Sequence, residues 1–174
     1  MEQAAVIAQQ ILLDKSAATD DIQMANMSLF HFDVNNKDTN AAYLVLSKII
    51  KSNPSNITAD AHYQLAALYL AQNKLSLAEK TAFEVIKKQA AYDFWVTKAY
   101  ILLGDIYAAQ KDNFNAIATY KSVAENANDA SLKLIAQEKL KAITESISQD
   151  LVIYWVNTIS NIIMINYPSN HLSM

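Results

Sequence analysis

A repeated spacing constrains the fold of this chain more than any other feature of its sequence. Each of three residue pairs lies 38 residues apart: Leu65 and Leu103, Tyr69 and Tyr107, and Ala78 and Ala116. A shared offset of this size indicates that one supersecondary unit occurs twice in succession, because a repeated unit keeps similar residues at its packing positions. The sequence therefore predicts two consecutive copies of one structural unit in the middle of the chain.

The only glycine of the chain, Gly104, falls inside the second copy. Glycine within a helix costs about 1 kcal/mol relative to alanine, so a single glycine in mid-helix indicates a point where two helices pack closely. Ala66 stands at the matching position of the first copy. We therefore expect Gly104→Leu to destabilise the fold by overpacking, and Gly104→Ala to be nearly neutral.

The composition predicts an all-α protein. Hydrophobic residues make up 52% of the 174 residues, and one glycine and two prolines leave few helix breakers. The net charge is −3, and no run of lysines is longer than Lys87-Lys88. Binding to a phosphate backbone needs a positive surface, so nucleic acid is not an expected partner. The absence of cysteine from the sequence excludes disulfides and thiolate metal sites.

Apolar spacing predicts that residues 1–146 form one helical repeat domain. After a first helix over residues 2–14, we expect hairpins over about 20–54, 57–90 and 93–127, and a cap helix over 129–146. Either Thr39 or Asn40 is expected to cap the second helix of the first hairpin. That hairpin is expected to pack irregularly, because Asp33 and Phe30 replace the aromatic and the small residue of the other two.

The third hairpin carries a pattern that resembles a known repeat. Tyr100-x2-Leu103-Gly104-x2-Tyr107, followed by Ala116-x3-Tyr120, is similar to the signature of the tetratricopeptide repeat, a helical hairpin of about 34 residues. Residues from about 57 to 145 resemble the C-terminal repeats of bacterial tetratricopeptide-repeat proteins. The resemblance implies a right-handed superhelical solenoid that serves as a scaffold for a protein or peptide partner, with no catalysis and no cofactor.

In such repeats the first helix of each hairpin lines a concave groove. The resemblance carries that role to ten residues: Met27, His31, Tyr63, Ala67, Leu70, Ala71, Lys98, Ile101, Asp105 and Ala108. Only Lys98 fits the chemistry with which some family members hold a peptide carboxylate, so such a clamp is not expected. Asp105 is the one carboxylate in the set, and it faces either the groove or a solvated surface.

No residue pattern in the sequence is typical of an enzyme or a metal site. There is no glycine loop for phosphate and no nucleophile elbow. His31, His62 and His171 lack the spacing of metal ligands, and His62 is expected to pack in the core. The aromatic residues of the third hairpin are expected to serve helix packing rather than base stacking. The five considered are Phe94, Trp95, Tyr100, Tyr107 and Tyr120.

Residues 147–174 form an apolar tail that departs from the repeat pattern. Leu151 to Tyr167 is nearly continuous apolar sequence, and it is expected to be helical. A helix packed on the end of the repeats is preferred, with attachment to a membrane interface and a bilayer span as alternatives, and 17 residues is at the short limit for a span. A non-native end is a further alternative. No secretory signal is visible in the sequence, so a cytoplasmic location is expected by default. The alternative function is that of a membrane-associated envelope or assembly component, attached through residues 151–167.

Overall fold

The structure, a computed structural model, describes residues 2–166, and it describes side chains as far as Ser160. Within this range the protein is all-α, with eight helices and no strand. The helices are α1 (Glu2–Leu13), α2 (Thr19–Asn35), α3 (Thr39–Ile49), α4 (Asn56–Ala71), α5 (Leu75–Lys88), α6 (Asp93–Ala109), α7 (Asn113–Asn126) and α8 (Ala130–Asn166). His171 lies outside the described residues.

Three successive hairpins, α2–α3, α4–α5 and α6–α7, share one turn. Lys37, Asn73 and Lys111 follow the first helix of each hairpin in the left-handed conformation, with φ of 61°, 56° and 63°. The next residue of each turn donates its amide to a carbonyl five positions earlier, at 2.8–2.9 Å, which is the Schellman pattern. Asn73 and Lys111 are 38 residues apart, so the spacing predicted from side chains is also present in the backbone.

Asp38 caps α3, so the prediction of Thr39 or Asn40 as the cap is wrong. The Asp38 carboxylate accepts a hydrogen bond from the amide of Ala41 at 3.0 Å. The shared turn explains the difference, because it ends at Lys37 and leaves Asp38 as the residue that precedes the helix. Asp112 caps α7 in the same way, accepting from the amide of Asn115 at 3.1 Å.

The helices form two rows. Each helix packs against the next along the chain, and in the described part of the chain α2, α4, α6 and α8 also contact one another in series. The odd-numbered helices make no such contacts with each other there. We call the surface of the even-numbered row the even-helix face.

The core consists of three clusters, each shared by three consecutive helices. The first joins α2, α3 and α4 and includes Phe30 and Leu46. The second joins α4, α5 and α6 and includes Ala66 and Ala82. The third joins α6, α7 and α8 and includes Tyr120. Since each cluster uses both helices of one hairpin and the helix that follows it, neighbouring units along the chain stabilise one another.

Gly104 lies at a close helix approach, as the sequence predicts. A Cβ atom built on Gly104 would stand 2.3 Å from Cε1 of Tyr120, and the Tyr120 ring is only 3% exposed. We therefore expect Gly104→Ala to destabilise the fold, in contrast to the nearly neutral effect expected from the sequence. The two positions differ because Ala66 shares its cluster with Ala82, whereas the residue that matches Ala82 in the next hairpin is Tyr120.

One continuous helix, α8, replaces the predicted cap helix over 129–146 and separate tail. Asp129 caps its start by accepting from the amide of Leu132 at 3.0 Å, and the sequence from there to Asn166 contains neither glycine nor proline. Leu132 is buried, whereas Trp155 is 61% exposed. All apolar side chains from Leu151 to Val156 are exposed, so the prediction of a tail packed on the repeats is wrong for the described part of the tail.

Within residues 2–166, none of the helices combines the length and the hydropathy that crossing a bilayer requires.

Candidate functional site

A cleft crosses the first three helices of the even-helix face. Its volume is about 280 Å³, and it is open to solvent on one side. We call it the Trp95 cleft. The residues that line it come from α2, α4 and α6: Met24, Met27, Ser28, His31, Asn56, Ile57, Asp60 and Trp95. Three successive hairpins thus contribute to one surface, which no single hairpin could form.

Two local features position the α4 residues that line the Trp95 cleft. Ser55 caps α4, with its hydroxyl accepting from the amide of Thr58 at 3.1 Å, so that Asn56 begins the first turn. The amide oxygen of Asn56 accepts a hydrogen bond from the indole nitrogen of Trp95 at 2.7 Å. This bond joins the start of α4 to the start of α6 and fixes the orientation of the indole. The Trp95 ring also lies against Tyr63, with 5.7 Å between the ring centroids.

Lys98 lies over three aromatic rings beside the cleft. Its ammonium nitrogen is 4.3 Å from the ring centroid of Tyr63, 4.5 Å from Trp95 and 5.5 Å from Phe94. Cation–π attraction holds the amine there, and partial burial lowers its pKa below the usual lysine value. Lys98 makes no ion pair with any carboxylate in the described part of the chain. Trp95 thus packs α6 against α4, as the sequence predicts, whereas Phe94 is 45% exposed.

Asp60 is a half-buried carboxylate inside the Trp95 cleft. It accepts one hydrogen bond, from the side-chain amide of Gln64 at 3.0 Å, and has no ion-pair partner among residues 2–160. Burial raises its pKa above the usual aspartate value, and the smaller opposing effects come from Gln64, Lys98 and His31. Because a carboxylate has about four acceptor positions, Asp60 retains acceptor capacity toward the cleft.

Asp105 has a different environment from Asp60. Its Oδ1 accepts from the hydroxyl of Tyr120 and from the amine of Lys139, both at 2.6 Å. The carboxylate is thus used to join α6, α7 and α8. A partner that approached Asp105 would have to compete with its bonds to Tyr120 and Lys139. Of the two positions predicted for Asp105, facing a groove or facing solvent, the groove is therefore the weaker alternative.

The ten residues predicted to line a groove divide into three environments. Met27 lines the Trp95 cleft while it is buried in the first cluster, and His31 lies exposed at the cleft rim. Tyr63, Ala67 and Leu70 are half-buried against the second cluster. Ala71 is exposed at the end of α4. The remaining four lie on α6: Lys98, Asp105 and Ala108 are half-buried, and Ile101 is buried.

Ile101 is buried and, unlike Met27, does not line the Trp95 cleft. It is 6% exposed and lies in the third cluster. The reason is the contact between α6 and α8, because α8 extends the even row by one helix and covers this part of α6.

Sequence reasoning missed Asp60 and Trp95, although a signal for both was present. Asp60 precedes Tyr63 by three residues, and Trp95 precedes Lys98 by three, so both lie one turn earlier on faces already assigned to the groove. Extending each stripe to the start of its helix would have found them. His62 is buried as predicted, with Nδ1 2.8 Å from the carbonyl oxygen of Thr58.

The described residues contain no cluster of three or more histidine, aspartate or glutamate side chains arranged to hold a metal ion. Comparisons with protein-family models, with curated proteins and with solved structures found no match to the chain.

Proposed function

We propose that this chain is a non-catalytic scaffold that binds a peptide or partner protein along its even-helix face. The proposal includes the architecture expected from the repeat resemblance, a right-handed superhelical solenoid of tetratricopeptide-like hairpins. The repeated Schellman turns and the serial contacts within the even row support that architecture. A solenoid of this kind presents one continuous concave surface, which suits an extended or helical ligand.

The observation that carries the proposal is the composition of the Trp95 cleft. Aromatic and methionine side chains are common at the anchor positions of interfaces, and here Met24 and Trp95 reach the surface from different hairpins. Lys98 and Asp60 add two charges of opposite sign that no ion pair occupies in the described structure. Apolar anchors beside unpaired charges are what a binding surface needs for both affinity and orientation.

Selection from a random peptide library displayed on phage, with the full chain as bait, tests the proposal directly. We expect selected peptides to bind the wild-type chain and to lose about tenfold in affinity, or ~1.4 kcal/mol, when Trp95 or Tyr63 is changed to alanine. Lys80→Ala and Lys121→Ala, on odd-numbered helices, are matched controls that should leave binding unchanged. Helicity measured by circular dichroism should be the same in all variants.

Two results would count against a groove on the even-helix face. One is that no peptide is enriched over the empty support. The other is that the selected peptides bind Trp95→Ala and Tyr63→Ala as tightly as wild type but lose binding to Trp155→Glu, which would place the binding surface on the part of α8 around Trp155.

A second candidate function, attachment to a membrane interface through α8, rests on a separate observation. Six consecutive apolar residues, Leu151 to Val156, are exposed in the structure, and the sequence from Leu151 to Ser160 carries no charged residue. Tryptophan and tyrosine within this run are residue types enriched at bilayer interfaces. On this proposal the helix would lie in the interface rather than cross it.

Sedimentation with phosphatidylcholine and phosphatidylglycerol vesicles tests the second candidate. In a Trp95→Phe background Trp155 is the sole indole, and its emission should shift to shorter wavelength when vesicles are added. Trp155→Glu should abolish sedimentation with the vesicles. If the chain stays in the supernatant with both lipids, the attachment proposal is refuted and the scaffold proposal is unaffected.

A further inference from the structure

The Trp95 cleft contains a carboxylate that the fold leaves available. We propose that the cleft binds the cationic side chain of an arginine or lysine on the partner, with Asp60 as its counter-ion and Trp95 as the ring that it contacts. This inference rests on the scaffold function proposed above and specifies the chemistry of the ligand.

The environment of Asp60 is the first step of the argument. Moving a carboxylate out of bulk water is unfavourable unless charged or hydrogen-bonding groups compensate it. The single bond from Gln64 satisfies one acceptor position, and no described lysine lies within ion-pair distance. Asp60 also makes no bond to another helix, so it does not join elements of the fold as Asp105 does. Lys98 and His31 favour the charged form of Asp60 only from a distance, and a bound cation would supply the direct partner that the described residues do not provide.

The walls of the cleft suit the rest of such a side chain. Met24, Met27 and Ile57 provide an apolar lining for the methylene groups, and lysine and arginine commonly bury these groups while the charge finds a partner. The hydrogen bond from Trp95 to Asn56 holds the indole in place, so the ring needs no reorganisation on binding. Tryptophan is the aromatic side chain that attracts cations most strongly.

Other ligand chemistries fit the cleft less well. An anionic group would be placed beside the Asp60 carboxylate, where like charges repel. A purely apolar group would remove Asp60 from water without replacing its hydration, which is the more costly form of burial. Lys98 does not line the cleft, but its ammonium lies over the Trp95 ring at 4.5 Å from the centroid. A ligand cation would therefore have to contact a part of the indole that Lys98 leaves open.

Small amides of known charge provide a direct test with the full chain. In a Trp155→Phe background Trp95 is the sole indole, so its fluorescence reports the cleft. The probes are N-acetylarginine amide and its neutral isostere N-acetylcitrulline amide, each titrated to roughly 100 mM. We expect a saturable change with the arginine amide and at least a tenfold weaker response with the citrulline amide. Asp60→Asn should lower the affinity for the arginine amide at least tenfold.

Asp150→Asn is the matched control, because it removes one carboxylate from an exposed position on α8. It should leave the arginine-amide titration within twofold of the parent. Equal responses to the two amides, an unchanged affinity in Asp60→Asn, or no saturable change with the arginine amide would each overturn the proposed cation site.

The peptide selection separates failure of this inference from failure of the scaffold function. Peptides that require Trp95 but show no enrichment of arginine or lysine would refute the cation site and leave the scaffold proposal standing. If no peptide is selected, the scaffold proposal fails, whereas the arginine-amide titration still decides whether the cleft holds a cation. Enrichment of a basic residue that disappears when Asp60→Asn is the bait would support both.

Discussion

The contact between Gly104 and Tyr120 makes a specific prediction about stability. In Gly104→Ala the new Cβ would begin 2.3 Å from Cε1 and 2.6 Å from Cδ1 of the Tyr120 ring, so the ring must move by more than 1 Å to restore ordinary contact at about 3.4–4 Å. The ring has little room to move, because it is buried and its hydroxyl donates to Asp105 at 2.6 Å. Overpacking of this kind typically costs about 1–3 kcal/mol.

An opposing gain of roughly 0.5–1 kcal/mol is expected, because alanine loses less backbone entropy than glycine in a helix. The difference between these two ranges is a net loss of roughly 0–2.5 kcal/mol in the free energy of unfolding, centred on about 1 kcal/mol. At the centre that corresponds to a fall of roughly 2–4 °C in Tm for a chain of this length. Urea unfolding followed by circular dichroism would measure the free energy.

A double-mutant cycle with Tyr120→Ala isolates the contact. In the Tyr120→Ala background the clash is absent, and Gly104→Ala should become stabilising by roughly 0.5–1 kcal/mol. Should Tyr120→Ala fail to fold, Tyr120→Leu serves in its place, since leucine occupies the matching position, Leu46, in the first hairpin. As a matched control, Ala66→Gly should cost about 1 kcal/mol in either background. If Gly104→Ala changes stability equally with and without the Tyr120 ring, the close-approach argument is refuted.

Further predictions concern three carboxylates and can be checked by urea or thermal unfolding. Asp129→Ala removes the cap of α8 and should cost about 1 kcal/mol. Asp105→Ala should cost about 1–3 kcal/mol, because it leaves a buried tyrosine hydroxyl without its acceptor, whereas Lys139→Ala should cost less than about 1 kcal/mol and depend on salt. Burial raises the pKa of Asp60 in the folded state, so its ionisation lowers stability as pH rises from about 3.9 through the folded pKa. Asp60→Asn should therefore be more stable than wild type at pH 7, and this advantage should vanish as pH falls below about 3.9; an advantage that persists there would contradict the argument.

Local sequence signals predicted much of the fold because they act through neighbouring residues. The 38-residue offset and the glycine position indicated two hairpins and a close approach, and the structure has both. The cap of α3 was misplaced by one or two residues because a lysine, Lys37, occupies the left-handed position of the turn and gives no signal of it. Lys111 adopts the same conformation, so residue type marks only the turn at Asn73, where asparagine is a residue that favours positive φ.

Predictions that depended on distant packing were less successful. Ile101 shares a helical face with Lys98 and Asp105, and only the position of α8 shows that Ile101 is covered. The repeat pattern also could not show that Tyr120 lies opposite Gly104. Ala82 and Tyr120 are equivalent positions of the two copies, but the pattern does not say which residue each one contacts. Propensity favoured a helical tail, but it could not show whether another element would cover Trp155.

The contrast between Asp60 and Asp105 connects stability to function on the even-helix face. Asp105 accepts bonds from two other helices, so its carboxylate contributes to the fold and its removal should be costly. Asp60 accepts one bond from its own helix, and burial raises its pKa, so its charge is unfavourable for the folded protein taken alone. Groups whose charge destabilises the isolated fold are common at functional sites, where a ligand supplies the missing partner. The same property makes Asp60→Asn informative, because a variant that gains stability and loses binding cannot owe the loss to unfolding.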